Sequence, residues 1–252
     1  MILQLIRNAT LLLDYAGSRL LIDPMLGGKH VFRSFAGISE NPTVDLPLPA
    51  EDVLLNLDGV LVSHLHPDHF DEMAQQLIPK ETPILAEPNT VSNLKGEMGF
   101  SKVQSVDQTL QWRGFEIEPT AGEHGYGEWA KRMGPVSGYI LRAEGEPTIY
   151  WAGDTVLCPA VEQALAEHQP DIVITHSGGA QFGGPEGLIL MDAEQTLKVA
   201  ELAPQAKIIA THLESLDHCT VTRDGLRRAA EAAGVSERII IPADGEMLKD
   251  LA

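Results

Sequence analysis

The sequence predicts a single α/β domain over residues 1–252, and three observations support this class. The chain has 44% hydrophobic and 21% charged residues, an ordinary globular composition, and one core can extend to about 250–300 residues. Short apolar runs separated by turn residues fill the first quarter, which indicates strands. Later in the chain, strand-length apolar runs alternate with helical patterns, an arrangement in which helices cover the faces of sheets.

The first elements are strands at residues 2–6, 10–15 and 19–22. The last two are joined by a turn at Ala16-Gly17-Ser18. A polar segment follows at residues 23–49. It is long for a loop inside a compact domain, and loops of this length are often functional.

The middle of the chain predicts short strands and two helices. A strand ends at His64, and a helix follows at residues 68–78 with Phe70, Met73, Ala74 and Leu77 on one face. The next elements are a strand at 82–86, a helix at 89–98 and a meander of strands at 102–106, 109–112 and 115–119. Strands at 137–142 and 148–152 form a hairpin through Glu144-Gly145-Glu146.

After residue 152, helices and strands alternate to the end of the chain. The predicted helices lie at residues 159–168, 192–202 and 222–233. The predicted strands lie at residues 171–175, 207–211 and 238–241.

The segment His64-Leu65-His66-Pro67-Asp68-His69 follows an apolar run and carries three imidazoles and a carboxylate. Alternate residues of a strand point to the same side, so His64 and His66 are placed to bind one metal ion together. Pro67 interrupts the strand, and Asp68 is a favoured first residue of a helix. Asp68 and His69 therefore leave the strand at a different angle, which suits a second ion.

Further candidate ligands follow other predicted strands, namely His124, Asp154 and His212. Loops at strand ends on a rigid sheet are where sites are usually built. His176 ends another predicted strand. It is either an acid or donor that reaches the substrate, or a group that hydrogen-bonds a metal ligand.

The ordered series His-x-His-x-Asp-His, His, Asp, His resembles the metallo-β-lactamase superfamily, from the opening strands through Ile22-Asp23-Pro24 to His212. The resemblance implies a four-layer αβ/βα sandwich, with two mixed sheets face to face, helices outside and metals at one edge. It also implies a division of the ligands into one triad of His64, His66 and His124 and another of Asp68, His69 and His212, with Asp154 bridging the two metals.

Within the superfamily, the chain is most similar to the compact branch that includes ascorbate-6-phosphate lactonase-like proteins. His66 stands where the flavodiiron branch has Glu, which disfavours an oxygen-reducing diiron centre. Phe70-Asp71-Glu72 follows the motif where the tRNA-processing branch carries Gly, which disfavours a nuclease. The persulfide dioxygenase branch keeps much of the motif but uses one iron.

This ligand set predicts a metal-dependent hydrolase of small esters, lactones or phosphoesters. Imidazoles and carboxylates suit two divalent ions, zinc in the first place and manganese or iron as alternatives. Such a pair activates a bridging hydroxide at neutral pH. The predicted catalytic residues are Asp68, Asp154 and His176. Two alternatives stay open: a mononuclear iron dioxygenase acting on a sulfur substrate, and a non-catalytic metal sensor.

Several residues near the predicted site have two interpretations. Arg132 or Lys131, in a loop at residues 122–135, either binds an anionic substrate group or is a solvated surface charge. Asp217 and His218 either support the site or lie on a loop surface. The remaining assignments are the pocket rim for His30 and Arg33, a turn for Asp244, a structural role for His168, and buried apolar positions for Cys158 and Cys219.

Charge and apolar patterning exclude other classes. The net charge of −18 disfavours nucleic-acid binding, which requires Lys and Arg to displace counterions from phosphates. No apolar run approaches the ~20 residues that cross a bilayer, and residues 1–7 lack the features of a signal peptide. We therefore expect a cytoplasmic protein with a small-molecule substrate and neither nucleic-acid nor membrane partners.

Overall fold

The computed structural model describes residues 1–249 and residue 251. Its strands form two seven-stranded sheets. The strands of the first sheet are β1 (Ile2–Arg7), β2 (Thr10–Tyr15), β3 (Ser18–Ile22), β4 (Gly59–Val62), β5 (Ile84–Ala86), β6 (Val103–Ser105) and β14 (Met247–Leu248). Those of the second are β7 (Leu110–Trp112), β8 (Phe115–Ala121), β9 (Ser137–Arg142), β10 (Ile149–Trp151), β11 (Ile172–His176), β12 (Lys207–Thr211) and β13 (Ile239–Ile240).

Each sheet has an antiparallel half and a parallel half. The first sheet has the order β14-β1-β2-β3-β4-β5-β6, antiparallel up to β3 and parallel from β3 onward. The second has the order β13-β12-β11-β10-β9-β8-β7, parallel from β10 to β13 and antiparallel from β7 to β10. Because parallel strands end at a common edge, the loops that follow β4, β10, β11 and β12 can meet.

Helices accompany both sheets, and most of them pack on the outer faces. They are α1 (Ala50–Val53), α2 (Glu72–Leu77), α3 (Val91–Gly96), α4 (Glu128–Met133), α5 (Pro159–His168), α6 (Ala193–Leu202) and α7 (Arg223–Ala232). Within residues 1–249 and 251, no helix is both long and apolar enough to span a membrane.

The apolar core lies in three layers. Between the sheets, residues such as Leu11, Phe115 and Trp151 pack into one buried cluster. Leu94 of α3 belongs to a second cluster against the first sheet, and Val199 of α6 belongs to a third against the second sheet. This arrangement confirms the predicted four-layer αβ/βα sandwich.

Some predicted elements are wrong in detail. The helix predicted over residues 68–78 begins only at Glu72, because Asp71 is its N-cap and accepts a 2.8 Å hydrogen bond from the Ala74 backbone. Asp68 therefore does not start a helix. The meander predicted at residues 102–119 is also wrong, since β6 closes the first sheet and β7 opens the second. Helix α1 and strand β14 were not predicted, because four and two residues are too short to show a periodic pattern. Helix α4 was not predicted either, since none of its residues is buried and it has no core-facing stripe.

Candidate metal centre

The predicted ligands meet at one edge of the two sheets. β4 ends at Val62, and the chain continues through Ser63 into the cluster at residues 64–69. From the second sheet, β8 leads to His124, β10 to Asp154 and β12 to His212. Residues that are far apart in the chain are therefore neighbours in space.

Asp154 lies at the centre of this cluster. Its Oδ2 is 3.1 Å from His69 Nε2, 3.3 Å from His124 Nε2 and 3.7 Å from His64 Nε2. Its Oδ1 is 3.8 Å from His212 Nε2. One carboxylate thus faces imidazoles of both predicted triads, as a bridging ligand must.

The remaining contacts complete two ligand groups. In one group, Asp68 Oδ2 is 3.4 Å from His69 Nε2 and 3.2 Å from His212 Nε2. The other group is formed by four side chains, and one possible ligand atom from each lies within 4.8 Å of those of the other three. These side chains are His64, His66, His124 and Asp154. The structure therefore brings together every side chain that the sequence predicts as a ligand.

Hydrogen bonds to the outer ring nitrogens orient these imidazoles. His69 Nδ1 is 2.6 Å from Asp23 Oδ2, and His124 Nδ1 is 2.9 Å from the carbonyl oxygen of Ile189. In the neutral ring, an acceptor at Nδ1 places the single proton there, so the Nε2 lone pair can bind a metal once any proton on Nε2 is lost. The tautomers of both rings are therefore suited to ligation.

Asp23 is a site residue that the sequence analysis missed. Its side chain is fully buried, and its Oδ2 accepts from Ser63 Oγ at 2.6 Å as well as from His69. Ser63 Oγ lies 2.8 Å from His64 Nδ1. Asp23 thus supports one histidine of each group. The sequence feature that could have identified it is its position directly after the apolar run of β3, since other site residues also follow strands.

His176 is buried behind Asp154. Its Nδ1 is 2.6 Å from Asp154 Oδ1, and its Nε2 accepts a 3.2 Å hydrogen bond from Trp151 Nε1. An indole N–H can only donate, so the proton of His176 sits on Nδ1 and is donated to the carboxylate. Of the two predicted roles, the structure supports the second. The assignment of His176 as a catalytic acid or substrate donor is corrected, because both of its nitrogens are engaged by the protein.

The ligand loops also touch through their backbones. Asn8 donates from Nδ2 to the Asp68 carbonyl at 3.2 Å and accepts from the His212 N–H at 2.9 Å. Gly178 lies so close to the His212 carbonyl oxygen that a Cβ there would overlap it. Cys219, predicted as a buried apolar position, has its Sγ 3.7 Å from His212 Nδ1. His212 itself has a left-handed φ of +60°, a strained conformation that clusters at functional sites.

The histidines differ in how readily they hold a proton. Burial and the neighbouring histidines keep the pKa of His64 well below its usual value, and burial lowers the pKa of His124 to about 4. Burial also opposes charge on His69 and His212, but the Asp154 carboxylate and other acidic neighbours outweigh it. The pKa of His69 is therefore raised well above its usual value, and that of His212 rises to about 10. Metal binding must displace these two protons, because metal ligands bind deprotonated.

The donor set fits divalent metal ions. The Nε2 atom of His69 is buried and faces the Asp154 and Asp68 carboxylates at 3.1 and 3.4 Å, yet it makes no hydrogen bond of acceptable geometry, which is rare for a buried polar atom. Imidazole nitrogens together with carboxylate oxygens are the ligands of zinc and of other first-row divalent metals. A metal ion at this position would satisfy the unpartnered nitrogen.

A cavity of about 200 Å³ opens onto the ligands. Its floor is formed by His66, Asp68, His124 and Asp154. Its walls are mostly apolar and consist of Phe35, Met133, Phe182, Ile189 and Leu190, with Pro67, His218 and Arg33 completing the lining.

The early polar segment forms part of this pocket through Arg33 and Phe35. Asp217 holds the segment in place, since its carboxylate accepts from the Phe35 N–H at 2.9 Å, from Asn41 Nδ2 at 2.9 Å and from the Ser34 hydroxyl. Burial opposes the charge on Asp217, but these hydrogen bonds outweigh it and lower its pKa. The loop at residues 23–49, whose length indicated a function, therefore reaches the cavity above the candidate metal ligands.

Other predicted candidates lie outside the pocket. Arg132 packs over the Trp129 ring at 5.1 Å, and Lys131 is an exposed residue of α4. Asp244 forms a 2.5 Å ion pair with Arg223. The side chains of His30, His168 and Cys158 also do not line the cavity.

The pattern of ligands and sheets has counterparts among known proteins. Residues 18–213 match the family described as the beta-lactamase superfamily domain. The chain belongs to this superfamily. UPF0173 protein YddR of Bacillus subtilis (strain 168) is 36% identical to this superfamily member over 246 residues, which is 96% of each chain. A UPF0173 metal-dependent hydrolase of Azorhizobium caulinodans is 25% identical over 249 residues, 95% of each chain.

Two solved structures superimpose on this beta-lactamase superfamily member along almost its full length. The isothiocyanate hydrolase from Delia radicum gut bacteria has a TM-score of 0.94 and 38% identity, covering 99% of each chain. A possible metal-dependent hydrolase from Veillonella parvula DSM 2008 has a TM-score of 0.94 and 34% identity, covering 98% of each.

These comparisons confirm the predicted superfamily. They place the chain among the UPF0173 metal-dependent hydrolases. The similarity to ascorbate-6-phosphate lactonase-like proteins stays a prediction.

Proposed function

We propose that the protein is a dinuclear metal-dependent hydrolase that cleaves a small uncharged electrophile carrying an apolar substituent. The observation that supports this most directly is the position of Asp154, whose carboxylate faces histidines of both ligand groups at the floor of a mostly apolar pocket. Two divalent ions, zinc in the first place, would supply hydroxide at neutral pH and polarise the substrate.

Asp68 prepares the nucleophile in this proposal. Burial opposes its ionisation, but His69 and His212 outweigh burial, so the pKa of Asp68 lies well below its usual value. This holds for the metal-free protein, in which the two rings carry protons. Bound metal ions would replace those protons as the positive charge beside Asp68, so it would remain a carboxylate on the pocket floor. A carboxylate there can accept the proton of the attacking group in a hydrogen bond and orient its lone pair toward the substrate.

The pocket walls favour neutral substrates over anionic ones. Phe35, Met133 and Phe182 carry no charge, and Arg33 is the only Lys or Arg among the described residues that line the cavity. Arg33 is exposed, so water screens its charge. Away from the floor, where the metal ions would sit, these walls offer an anionic group little charge to pair with, so any part of a phosphoester anion that did not reach the metals would lose water at a cost. Among the substrates predicted from sequence, we therefore favour an ester or lactone over a phosphoester.

Isothiocyanates are the first substrates to test. The solved structure with 38% identity is that of an isothiocyanate hydrolase, and organic isothiocyanates are small, uncharged and electrophilic at carbon. Addition of water to R–N=C=S gives a thiocarbamic acid, which splits into an amine and carbonyl sulfide. The apolar walls would contact the R group, and the floor would face the electrophilic carbon.

The test compares the zinc-loaded wild type with Asp154→Asn. We expect two metal ions per chain in the wild type, counted by mass spectrometry, and hydrolysis of benzyl isothiocyanate, phenyl acetate or a simple lactone. Asp154→Asn should lose the paired binding and at least ~100-fold of the rate, since removal of one preorganised polar group costs this much in other enzymes. Asp107→Asn, at an exposed turn between β6 and β7, is the matched control and should behave like the wild type.

Three results would contradict the proposal. One iron per chain with oxygen uptake would indicate a dioxygenase. Bound metal without turnover of any of these compounds would indicate a sensor. Full activity of Asp154→Asn would show that the metals are not bridged by this carboxylate.

A further inference from the structure

His218 is the one imidazole of the pocket that belongs to neither ligand group. It lines the cavity and is 6% exposed. Its ring stacks on Phe182 with centroids 5.4 Å apart, and Phe35 meets it edge-on at 5.0 Å. Phe182 in turn stacks on Trp129 at 5.4 Å. This aromatic column holds the imidazole in one orientation beside the metal ligands.

The backbone around His218 is fixed as well. Its carbonyl oxygen accepts from the Gln181 N–H at 3.2 Å, and an antiparallel bridge joins Ala180 to Cys219. The pocket wall that contains Phe182 and the loop that contains His218 therefore form one unit. A ring fixed on such a unit needs no reorganisation when a substrate arrives.

The hydrogen bonding of His218 is incomplete. Its Nδ1 is sealed from solvent and has no hydrogen-bond partner. A ligand can therefore reach only Nε2. An unpartnered buried N–H is rarer in proteins than an unpartnered acceptor, which places the ring proton on Nε2. Burial lowers the pKa of His218 to about 4, so the ring is neutral at pH 7.

We propose that His218 is a catalytic residue, which donates a hydrogen bond from Nε2 to the substrate atom that becomes negatively charged during hydrolysis. This inference rests on the proposed hydrolase function. His218 shares the cavity with Asp68 and Asp154, so a substrate whose carbon faces the floor has its heteroatom within the same small space.

The bonding changes balance without any change in the charge of His218. A hydroxide supplied by the metal site would form a bond to the electrophilic carbon, and the π electron pair of C=N or C=O would move onto nitrogen or oxygen. That atom accepts the hydrogen bond from His218. No proton leaves the ring, because a neutral imidazole is far too weak an acid at pH 7. In the isothiocyanate case, the proton that completes the N–H group comes from the added hydroxyl group. In the ester or lactone case, the electron pair returns to carbon as the C–O bond to the leaving group breaks, and the leaving oxygen takes the proton of the added hydroxyl group.

The test compares His218→Phe with His218→Gln in zinc-loaded protein. Phenylalanine keeps the stacking and removes the donor, whereas glutamine restores an N–H group. We expect His218→Phe to retain two metals per chain, to lose about 10²–10³-fold in kcat, as expected for one lost donor, and to change KM by less than ~3-fold. His218→Gln should recover at least ~10-fold of the lost kcat. His168→Phe, outside the pocket, is the histidine control and should match the wild type.

Three outcomes would overturn the inference. A kcat within threefold of the wild type in His218→Phe would show that no donor is needed. A rise in KM alone would make His218 only a wall of the pocket. Loss of metal would make it a support for the ligands.

A second measurement separates failure of this inference from failure of the proposed function. In zinc-loaded protein labelled with ¹⁵N-histidine, NMR should show His218 as the neutral Nε2–H tautomer. Its Nε2 signal should shift on saturation with phenylacetamide, a hydrolysis-resistant hydrogen-bond acceptor. This readout does not depend on turnover. A proton on Nδ1, or an Nε2 signal unchanged by the amide, would refute the role of His218 even in an active enzyme.

Discussion

At the scale of single residues, Asp23 is the side chain outside the ligand set that does most to orient the ligands. It holds His69 directly and His64 through Ser63, so one buried carboxylate orients a histidine in each group. Such partners raise the basicity of the ligand and fix the direction of its lone pair. Asp154 has an equivalent partner in His176. The ligand cage is therefore oriented by an outer ring of charged and polar groups.

The contribution of Asp23 predicts weaker metal binding when its charge is removed. We expect Asp23→Asn to weaken zinc affinity by about 10–100-fold, because the amide no longer orients His69 as a charged acceptor. Competition with a chromophoric chelator measures the affinity, and Asp107→Asn is again the control. An affinity equal to that of the wild type would show that His69 needs no carboxylate partner.

His218 predicts a specific dependence of stability on pH. Its folded pKa of about 4 lies below the usual 6.5, so between these values the unfolded chain binds a proton that the native state does not. Stability should therefore fall as the pH is lowered through this window, by about 2 kcal/mol at pH 5 and about 3 kcal/mol at pH 4 from this group.

Urea unfolding of the wild type and His218→Phe at pH 7 and pH 5 measures this difference. The variant should lose less stability than the wild type between the two values. Equal losses would mean that the imidazole is not held neutral by the fold.

At the scale of secondary-structure elements, the site depends on the parallel half of each sheet. Several site residues follow parallel strands: Asp23 after β3, His64 after β4, Asp154 after β10 and His212 after β12. Most strand bounds follow from apolar runs and turn residues. The sheet to which each strand belongs does not, since β6 and β7 are close in sequence yet lie in different sheets. Local patterns encode a strand but not its partner.

In the loop after β11, we expect Gly178 to be sensitive to the addition of a side chain. Gly178→Ala should destabilise the protein by about 1–3 kcal/mol, because the new methyl group overlaps the His212 carbonyl and one of the two backbones must shift. Gly96→Ala in α3 is the matched control, since nothing lies within 4 Å of its added Cβ. It should be neutral or stabilise by about 0.4–1 kcal/mol. Thermal unfolding of both variants measures these changes in stability. A Gly178→Ala variant as stable as the wild type would contradict the contact.

At the scale of the whole molecule, the metal centre joins the two sheets. One ligand cluster extends from the first sheet, and His124, Asp154 and His212 extend from the second. Ions bound between them would therefore link both halves of the sandwich. Without metal, the pKa of His69 and that of His212 are raised, so both carry protons that partly neutralise the carboxylates.

Metal removal should consequently lower the stability of the folded state. Each ion that binds only the native state stabilises it by about 2.7 kcal/mol at a free concentration 100 times its Kd. Chelation should therefore lower the Tm by at least ~5 °C, given about 2–4 °C per kcal/mol for a chain of this size. Calorimetry before and after dialysis against EDTA measures the shift, and readdition of zinc should reverse it. An unchanged Tm would argue against ions at the junction of the sheets.

The amino-acid order alone was enough to predict the cluster of candidate metal ligands and the superfamily, because the motif at residues 64–69 is local and the other ligands directly follow recognisable strands. It did not reveal the supporting groups. Asp23 and His69 are 46 positions apart, and His176 and Asp154 are 22 apart. No local pattern links such pairs, since they meet only when parallel strands end at a common edge. The surroundings of Asp23, His176 and His218 were therefore decided by tertiary packing, which brings partners from distant loops into hydrogen-bond distance or seals a ring nitrogen from water.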